Sequence, residues 1–275
     1  MRGDNETKEE TVFDRRECLR VLALGLPAFR WMDALAAMRF PTVILDDVRF
    51  AFRTPGPQPN GLQATRDGLW ILDQGTNKVA LVSYEDGRVL REFQTECDRG
   101  SGITFDGTAL WLASTYNRLL LKVDAQTGKT LKQLPSPGSG VAKWGARGDN
   151  PTPTGAHGLE YLNGELWVAV PPAVKISVVT PDKGDVLRSF VAPGVRPHGI
   201  GWDPDGSLWC AESNYRAFFK MSPKTGTILK QVLLPPAQPE KDGAVLVPHG
   251  MTVWDKHIWF CVAETGEAYR FPLPT

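Results

Sequence analysis

The chain has only four histidines and four cysteines among 275 residues. Lysine and arginine together number 31, as do aspartate and glutamate, so the formal net charge is zero. That balance, with no cluster of basic residues beyond Arg15-Arg16, leaves no electrostatic footprint for nucleic acid. No CxxC pair is present, which removes the cysteine spacing of structural zinc sites and redox pairs. Outside the N-terminal segment no apolar stretch reaches the ~20 residues a membrane-spanning helix needs. What remains is an ordinary globular composition, 42% hydrophobic and 23% charged, long enough for one large core. The expectation is a monomer that takes a small-molecule or peptide-like ligand, with no nucleic-acid partner and no membrane insertion once a signal is removed.

The N-terminus reads as a targeting segment. Arg15-Arg16-Glu17-Cys18-Leu19-Arg20 precedes the apolar run Val21–Phe29, and Ala34-Leu35-Ala36 offers small residues at the spacing of a cleavage site. The segment resembles a twin-arginine export signal. Asp14 and Cys18 depart from that pattern, which usually has Ser or Thr and Phe there; a short amphipathic helix that stays on the protein is the alternative. The expected organisation is an export signal over 1–37 and one domain over 38–275, in the periplasm or outside the cell. Cys97, Cys210 and Cys261 would remain; Cys210 and Cys261 fall in apolar strand segments and read as buried free thiols.

Internal repetition decides the fold. A small turn, a short alternating strand, a polar turn and an aliphatic-Trp pair recur five times. The copies are Asn60-Gly61-Leu62 with Leu69-Trp70, Ser101-Gly102-Ile103 with Leu110-Trp111, and His157-Gly158-Leu159 with Leu166-Trp167. His198-Gly199-Ile200 with Leu208-Trp209 and His249-Gly250-Met251 with Ile258-Trp259 complete the set. Each copy but the last continues through a third and fourth strand, and four short strands per unit is a propeller blade. The last copy ends after three. Its missing strand is read at the other end of the chain, because Asp47–Gly61 aligns without gaps to Asp185–Gly199, where a fourth strand leads into the next blade. The expected fold is an all-β, five-bladed propeller closed by Asp47–Thr54. A six-bladed ring is the alternative, since Ser136–Ala156 lengthens one repeat, but that stretch is rich in Pro and Gly and reads as a loop. The repeated Trp reads as packing between blades.

In such a ring the first residue of each inner strand lies at one rim, and the second strand returns to it. This pairs Asn60 with Asp73, Ser101 with Ser114, His157 with Val170, His198 with Glu212 and His249 with Glu264. His257 falls in a turn on the opposite side. Three of the four histidines therefore share one register on consecutive blades, each followed by Gly. Histidine before Gly at a strand start can simply cap a turn. Three in register suit a divalent metal, zinc, another transition metal or magnesium, with His157, His198 and His249 as ligands and an open position for chemistry. Glu212, His198 and His249 are the candidate catalytic residues. Asn60, Asp73, Ser101, Tyr116, Tyr215 and Glu264 are the candidate substrate contacts, with Trp144 and Arg147 on the long loop Ser136–Ala156. Pro235–Val247 emerges on the same rim.

Pro197-His198-Gly199-Ile200 followed by Asp203-Pro204-Asp205-Gly206-Ser207-Leu208-Trp209 resembles the repeat of the NHL/SMP-30-like propellers. The similarity is closest to the streptogramin B lyases and to the lyase domain of peptidylglycine amidating enzymes. In the amidating lyases Pro-His-Gly histidines hold a zinc, which His198 and His249 match and His157, after Ala156, does not. In the streptogramin lyases histidines on consecutive blades and a glutamate ending a second strand serve a magnesium-dependent elimination, matched by His157, His198 and Glu212. A further glutamate there is replaced here by Arg196, and those rings have six or seven blades. Five-bladed, metal-independent glutaminyl cyclases are similar at Gly158-Leu159-Glu160-Tyr161, with His157-Gly158 in place of their Asn-Glu. The resemblance implies a metal-dependent lyase or hydrolase. The alternatives are a non-catalytic propeller that binds a ligand or glycan, and a glutaminyl cyclase-like activity.

Overall fold

The computed structural model describes residues 40–143, 152–236 and 245–274. Every described residue belongs to one compact unit, Phe40–Thr275. The expected export segment lies outside the described residues.

Two strands precede the repeats, β1 (Thr42–Ile44) and β2 (Arg49–Arg53). Blade one is β3 (Pro59–Thr65), β4 (Gly68–Asp73), β5 (Lys78–Val82) and β6 (Val89–Gln94). Blade two is β7 (Gly100–Phe105), β8 (Ala109–Ser114), β9 (Leu119–Asp124) and β10 (Thr130–Pro135). Blade three is β11 (Gly158–Leu162), β12 (Glu165–Val170), β13 (Lys175–Val179) and β14 (Val186–Val191). Blade four is β15 (Pro197–Trp202), β16 (Leu208–Glu212), β17 (Ala217–Met221) and β18 (Ile228–Leu233). Blade five is β19 (Met251–Trp254), β20 (His257–Val262) and β21 (Glu267–Pro272), completed by β2. The inner strands touch in the cycle β3, β7, β11, β15, β19 and back to β3, so the ring is closed.

Closure follows the sequence alignment. β2 runs antiparallel to β21, with Arg49 opposite Arg270 and Phe52 opposite Ala268. Phe52 is buried against Trp259 at a ring separation of 6.3 Å, and burial of a side chain this size stabilises by about 1.5–3 kcal/mol. Phe50 is half exposed and packs edge-on to Tyr269 instead. One element was not legible in the repeat pattern. β1 pairs parallel with β18, Thr42 opposite Gln231, so blade four has a fifth, outermost strand.

The five repeat tryptophans, Trp70, Trp111, Trp167, Trp209 and Trp259, are all buried. Trp111 of blade two packs with Leu159 and Val168 of blade three, and Trp209 of blade four with Met251 and Ile258 of blade five. Each ring also carries a cation from its own blade: Arg91, Lys122, Arg188, Lys220 and Arg270, 4.9–5.9 Å from the ring centres. Each positive charge is attracted to the negative face of its indole ring, and Lys122 and Lys220 are also ion-paired, with Asp106 and with Asp203 and Asp205. Cys210 and Cys261 are buried free thiols, as expected, and so is Cys97.

Candidate active site

Each inner strand begins at one rim, and glycine makes that rim possible. A Cβ on Gly61 would strike the carbonyl of Ser101, and one on Gly158 the carbonyl of His198. On Gly199 it would strike the backbone of Met251, and on Gly250 that of Asn60 and Gly61. The X-Gly repeat is thus a backbone-to-backbone contact that draws the five inner strands together. Below the rim the tunnel is lined by Leu62, Ile103, Leu159, Ile200 and Met251, and has no space for a water-sized body among the described residues.

In blades one, two and four the residue ahead of the glycine leaves the ladder. The register slips between Pro59 and Gly61, between Gly100 and Ile103, and between Pro197 and Ile200. The backbone partners are consequently Pro59 with Asp73, Gly100 with Ser114 and Pro197 with Glu212, each one residue before the rim residue expected from spacing. A bulge of this kind re-aims a side chain, here that of Asn60, Ser101 or His198, out of the sheet and toward the axis.

The rim side chains form a chain of contacts. Ser101 Oγ lies 2.8 Å from Asn60 Oδ1 and 3.0 Å from the His157 carbonyl, and its single proton can serve either acceptor. His157 Nδ1 lies 3.0 Å from His198 Nε2. The rings of His157 and His198 meet edge-on at 4.7 Å, as do those of His198 and His249. His249 Nε2 lies 3.2 Å from Glu264 Oε1. Burial is nearly complete for the three histidines, whereas the Glu264 side chain is 50% exposed. Burial, then the Arg196 charge, holds His157 down at about 3; burial holds His198 well below the usual imidazole range. Both rings are therefore neutral at pH 7. Burial would raise Glu264, but the His249 contact and the Arg196 charge outweigh it and keep the carboxylate below its ordinary value.

Glu212 is placed differently from its expected role. Oε1 accepts from the N–H groups of Val195 and Arg196 at 3.1 and 2.6 Å, and Oε2 from Tyr215 N–H at 2.6 Å. Burial pushes its carboxyl up to about 7 against these three donors. The Asp73 carboxylate also caps backbone in blade one, accepting from Gln58 N–H at 2.6 Å and from the Thr76 N–H and hydroxyl at 2.8 Å each. Ser114 Oγ accepts from Asp98 N–H at 2.8 Å in blade two. The residue ending each of these second strands is a clamp on the entering loop. Tyr116 is half-buried under the Arg99 guanidinium, 5.4 Å from the ring centre, and Tyr215 is half-buried against Glu212 near Gly194. Val170 is buried in the apolar cluster of blades two and three. Trp144 and Arg147 lie outside the described residues. His257 is away from the histidine group and bonds the Asp255 carbonyl at 2.7 Å.

For a metal ion the fit is partial. Two imidazole nitrogens on one transition-metal ion, each about 2.1 Å from it, lie about 3.0–3.4 Å apart, so the His157–His198 separation suits two ligands as well as it suits a hydrogen bond. His249 instead turns Nε2 to Glu264. Among the described residues no three His, Cys, Asp or Glu side chains are placed to share an ion.

Two further residues were not singled out by the sequence. Glu160 is buried three positions along β11 from His157, with Oε2 3.4 Å from Thr104 Oγ1, and burial pushes its carboxyl up to about 8. Arg196 lies two residues ahead of His198.

No protein-family model matches the chain, and no curated protein matches it. Solved structures do. Glutaminyl cyclase from Myxococcus xanthus aligns with a TM-score of 0.65 at 13% identity, covering 84% of this chain and 97% of that one. The shared architecture is the five-bladed propeller. A streptogramin B lyase aligns with a TM-score of 0.48 at 20% identity, over 83% of this chain and 74% of that one. Virginiamycin B lyase from Staphylococcus aureus aligns at 0.46 and 20%, over 78% of this chain and 66% of that one, about two thirds of its length. The propellers similar to this chain include enzymes.

Proposed function

We propose that this chain is an exported enzyme that moves a proton on a small-molecule or peptide-like substrate at the axial rim, in an elimination or a hydrolysis. The observation that carries the proposal is the His249–Glu264 contact: an ionised, half-exposed carboxylate backed by a buried imidazole. A ligand on the rim meets Glu264 first. The carboxylate takes a proton from an acidic C–H beside a carbonyl, or from an attacking water. His249 Nε2–H steadies the carboxylate meanwhile. In elimination the C–H electron pair forms the new double bond, and the bond to the leaving oxygen breaks. In hydrolysis the water oxygen adds to the carbonyl, and the bond to the leaving group breaks. In both cases the proton on Glu264 passes to the leaving group, and the carboxylate is restored.

A divalent metal ion on His157 and His198 is a separate element of the proposal, supported by their neutral rings and 3.0 Å separation. Such an ion would polarise a substrate carbonyl. Elemental analysis of protein purified without a histidine tag tests it. Near one equivalent of a single metal is expected, and less than about a tenth, with no stabilisation on adding metals, contradicts it.

The enzyme reading is tested with a panel of lactones, esters and short acylated peptides offered to the pure protein. Turnover of at least one class above the uncatalysed rate is expected. A panel wholly unprocessed by native, metal-replete protein contradicts it.

A further inference from the structure

The position four residues after each repeat tryptophan lies just past the second strand, at the histidine rim. It is Gln74, Thr115, Pro171, Ser213 and Ala263 in blades one to five. Only Thr115 and Ser213 carry a hydroxyl there. In both cases the next blade opens on a histidine that follows a long loop, His157 after 136–156 and His249 after 235–248. His198 follows only the short link from β14, and the blade before it offers Pro171, which has no donor.

Both hydroxyls reach across a blade boundary to the peptide unit that carries the histidine. Ser213 Oγ donates to the Pro248 carbonyl at 2.6 Å, and Thr115 Oγ1 to the Ala156 carbonyl at 2.8 Å. The other end of each peptide is bonded too. His249 N–H donates to the Cys261 carbonyl at 3.0 Å, and His157 N–H to the Ala169 carbonyl at 2.9 Å. A peptide unit is planar. Holding its C=O from one blade and its N–H from the other fixes the plane, and with it the direction in which the histidine side chain departs. The hydroxyls are anchored in turn. Ser213 N–H donates to the Arg196 carbonyl at 3.2 Å, and the Thr115 carbonyl accepts from Gly155 N–H at 2.8 Å. Thr115 and Ser213 are fully buried, so removing a hydroxyl leaves a buried carbonyl without that partner.

We propose that Ser213 is a positioning residue: from blade four it holds His249 of blade five where Nε2 meets Glu264, and Thr115 holds His157 in the same way. The inference rests on the reading of His249 and Glu264 as the proton-transfer pair. Their contact is 3.2 Å, at the long end of the hydrogen-bond range, and a further shift of about 0.5 Å ends it. Ser213 acts through the backbone and takes no part in the proton transfer itself.

The test is the side-chain proton–nitrogen NMR spectrum of the histidines in the whole chain, with His249 assigned by His249→Gln and His157 by His157→Gln. In Ser213→Ala the His249 ring signals are expected to move, and its Nε2–H to exchange with solvent at least about tenfold faster. In Thr115→Ala the larger change is expected at His157. Ser213→Thr keeps the hydroxyl and should restore the native His249 signals. Native His249 signals in a folded Ser213→Ala chain, or signals that move as far in Thr115→Ala, overturn the proposal. Should Ser213→Ala fail to fold, Ser213→Cys, similar in size and a weaker donor, is read in its place by the same criteria. On any substrate the native chain processes, Ser213→Ala should lower kcat about tenfold and leave KM within about twofold; a change confined to KM overturns the proposal. The spectrum needs no substrate. Signals that move as expected in a chain that turns nothing over would end the enzyme reading and leave Ser213 as the residue that places His249. Unmoved signals in an active chain would do the reverse.

Discussion

His249 Nε2 and Glu264 Oε1 lie 3.2 Å apart, although one is buried in the rim and the other is half in solvent. They meet because the chain leaves the rim at the start of blade five and returns to it after β20. In blade four a glutamate also follows the rim histidine His198, but Glu212 gives its carboxylate to three backbone N–H groups. The two glutamates do not share a repeat position: Glu212 ends β16, three residues after Trp209, whereas Glu264 lies two residues beyond the end of β20, five after Trp259.

This difference separates the two glutamates by stability. Glu212→Ala strands three backbone donors, each worth about 1–3 kcal/mol when left unpaired and buried. Partial rehydration lowers the sum, and a loss of roughly 2–4 kcal/mol is expected. At about 2–4 °C per kcal/mol for a domain of this size, the midpoint falls by roughly 5–15 °C. Glu264→Ala, half-exposed, shifts it by less than about 2 °C. Calorimetry on the two variants checks this; equal shifts would show that Glu212 is no clamp.

Glu160 predicts a stability slope with pH. Its carboxyl titrates near 8 when folded and near the ordinary 4.5 when unfolded. The folded chain holds the proton more tightly, so this group's contribution is complete below about 4.5 and is lost as pH rises toward 8. Glu160→Gln removes the slope. Denaturant unfolding at pH 5 and pH 9 should show the variant gaining on the native chain by on the order of a few kcal/mol at the higher pH. Parallel behaviour at both pH values contradicts the buried, protonated assignment.

Ring closure is tested by truncation. A chain beginning at Met38 keeps every described residue and should melt like the full chain. One beginning at Asp47 loses β1, whose three residues are all exposed, together with the Phe40 contact to Phe219, and should melt a few degrees lower. One beginning at Pro55 loses β2 and Phe52 and bares the edge of β21. It should aggregate or melt far lower. Equal midpoints for the Met38 and Pro55 chains would contradict closure by β2.

Most of this fold was legible because a propeller repeats. Five X-Gly turns and five buried tryptophans share one register, so blade count, strand order and the closing strand could be read from spacing. β1 was not legible: Thr42-Val43-Ile44 has no counterpart in the other blades, and only its docking on β18 makes it a strand. At the site, the rim register was legible to within one residue. The error came from bulges such as that between Pro197 and Ile200, which shift the pairing without altering the spacing. Spacing set Glu264, five residues after its Trp, apart from Glu212, three after its own, but could not give their partners. Their roles depend on which backbone N–H groups the loops present, and that is decided by the turn at Gly194.

In the proposed function Glu264, backed by His249, moves the proton at the rim. Turnover by Glu264→Gln tests it most directly, on whichever ester, lactone or peptide class the native chain processes. The variant is expected to lose about 10²–10⁴-fold in kcat, with a thermal midpoint unchanged within about 2 °C. Native turnover in a folded Glu264→Gln chain would contradict the claim.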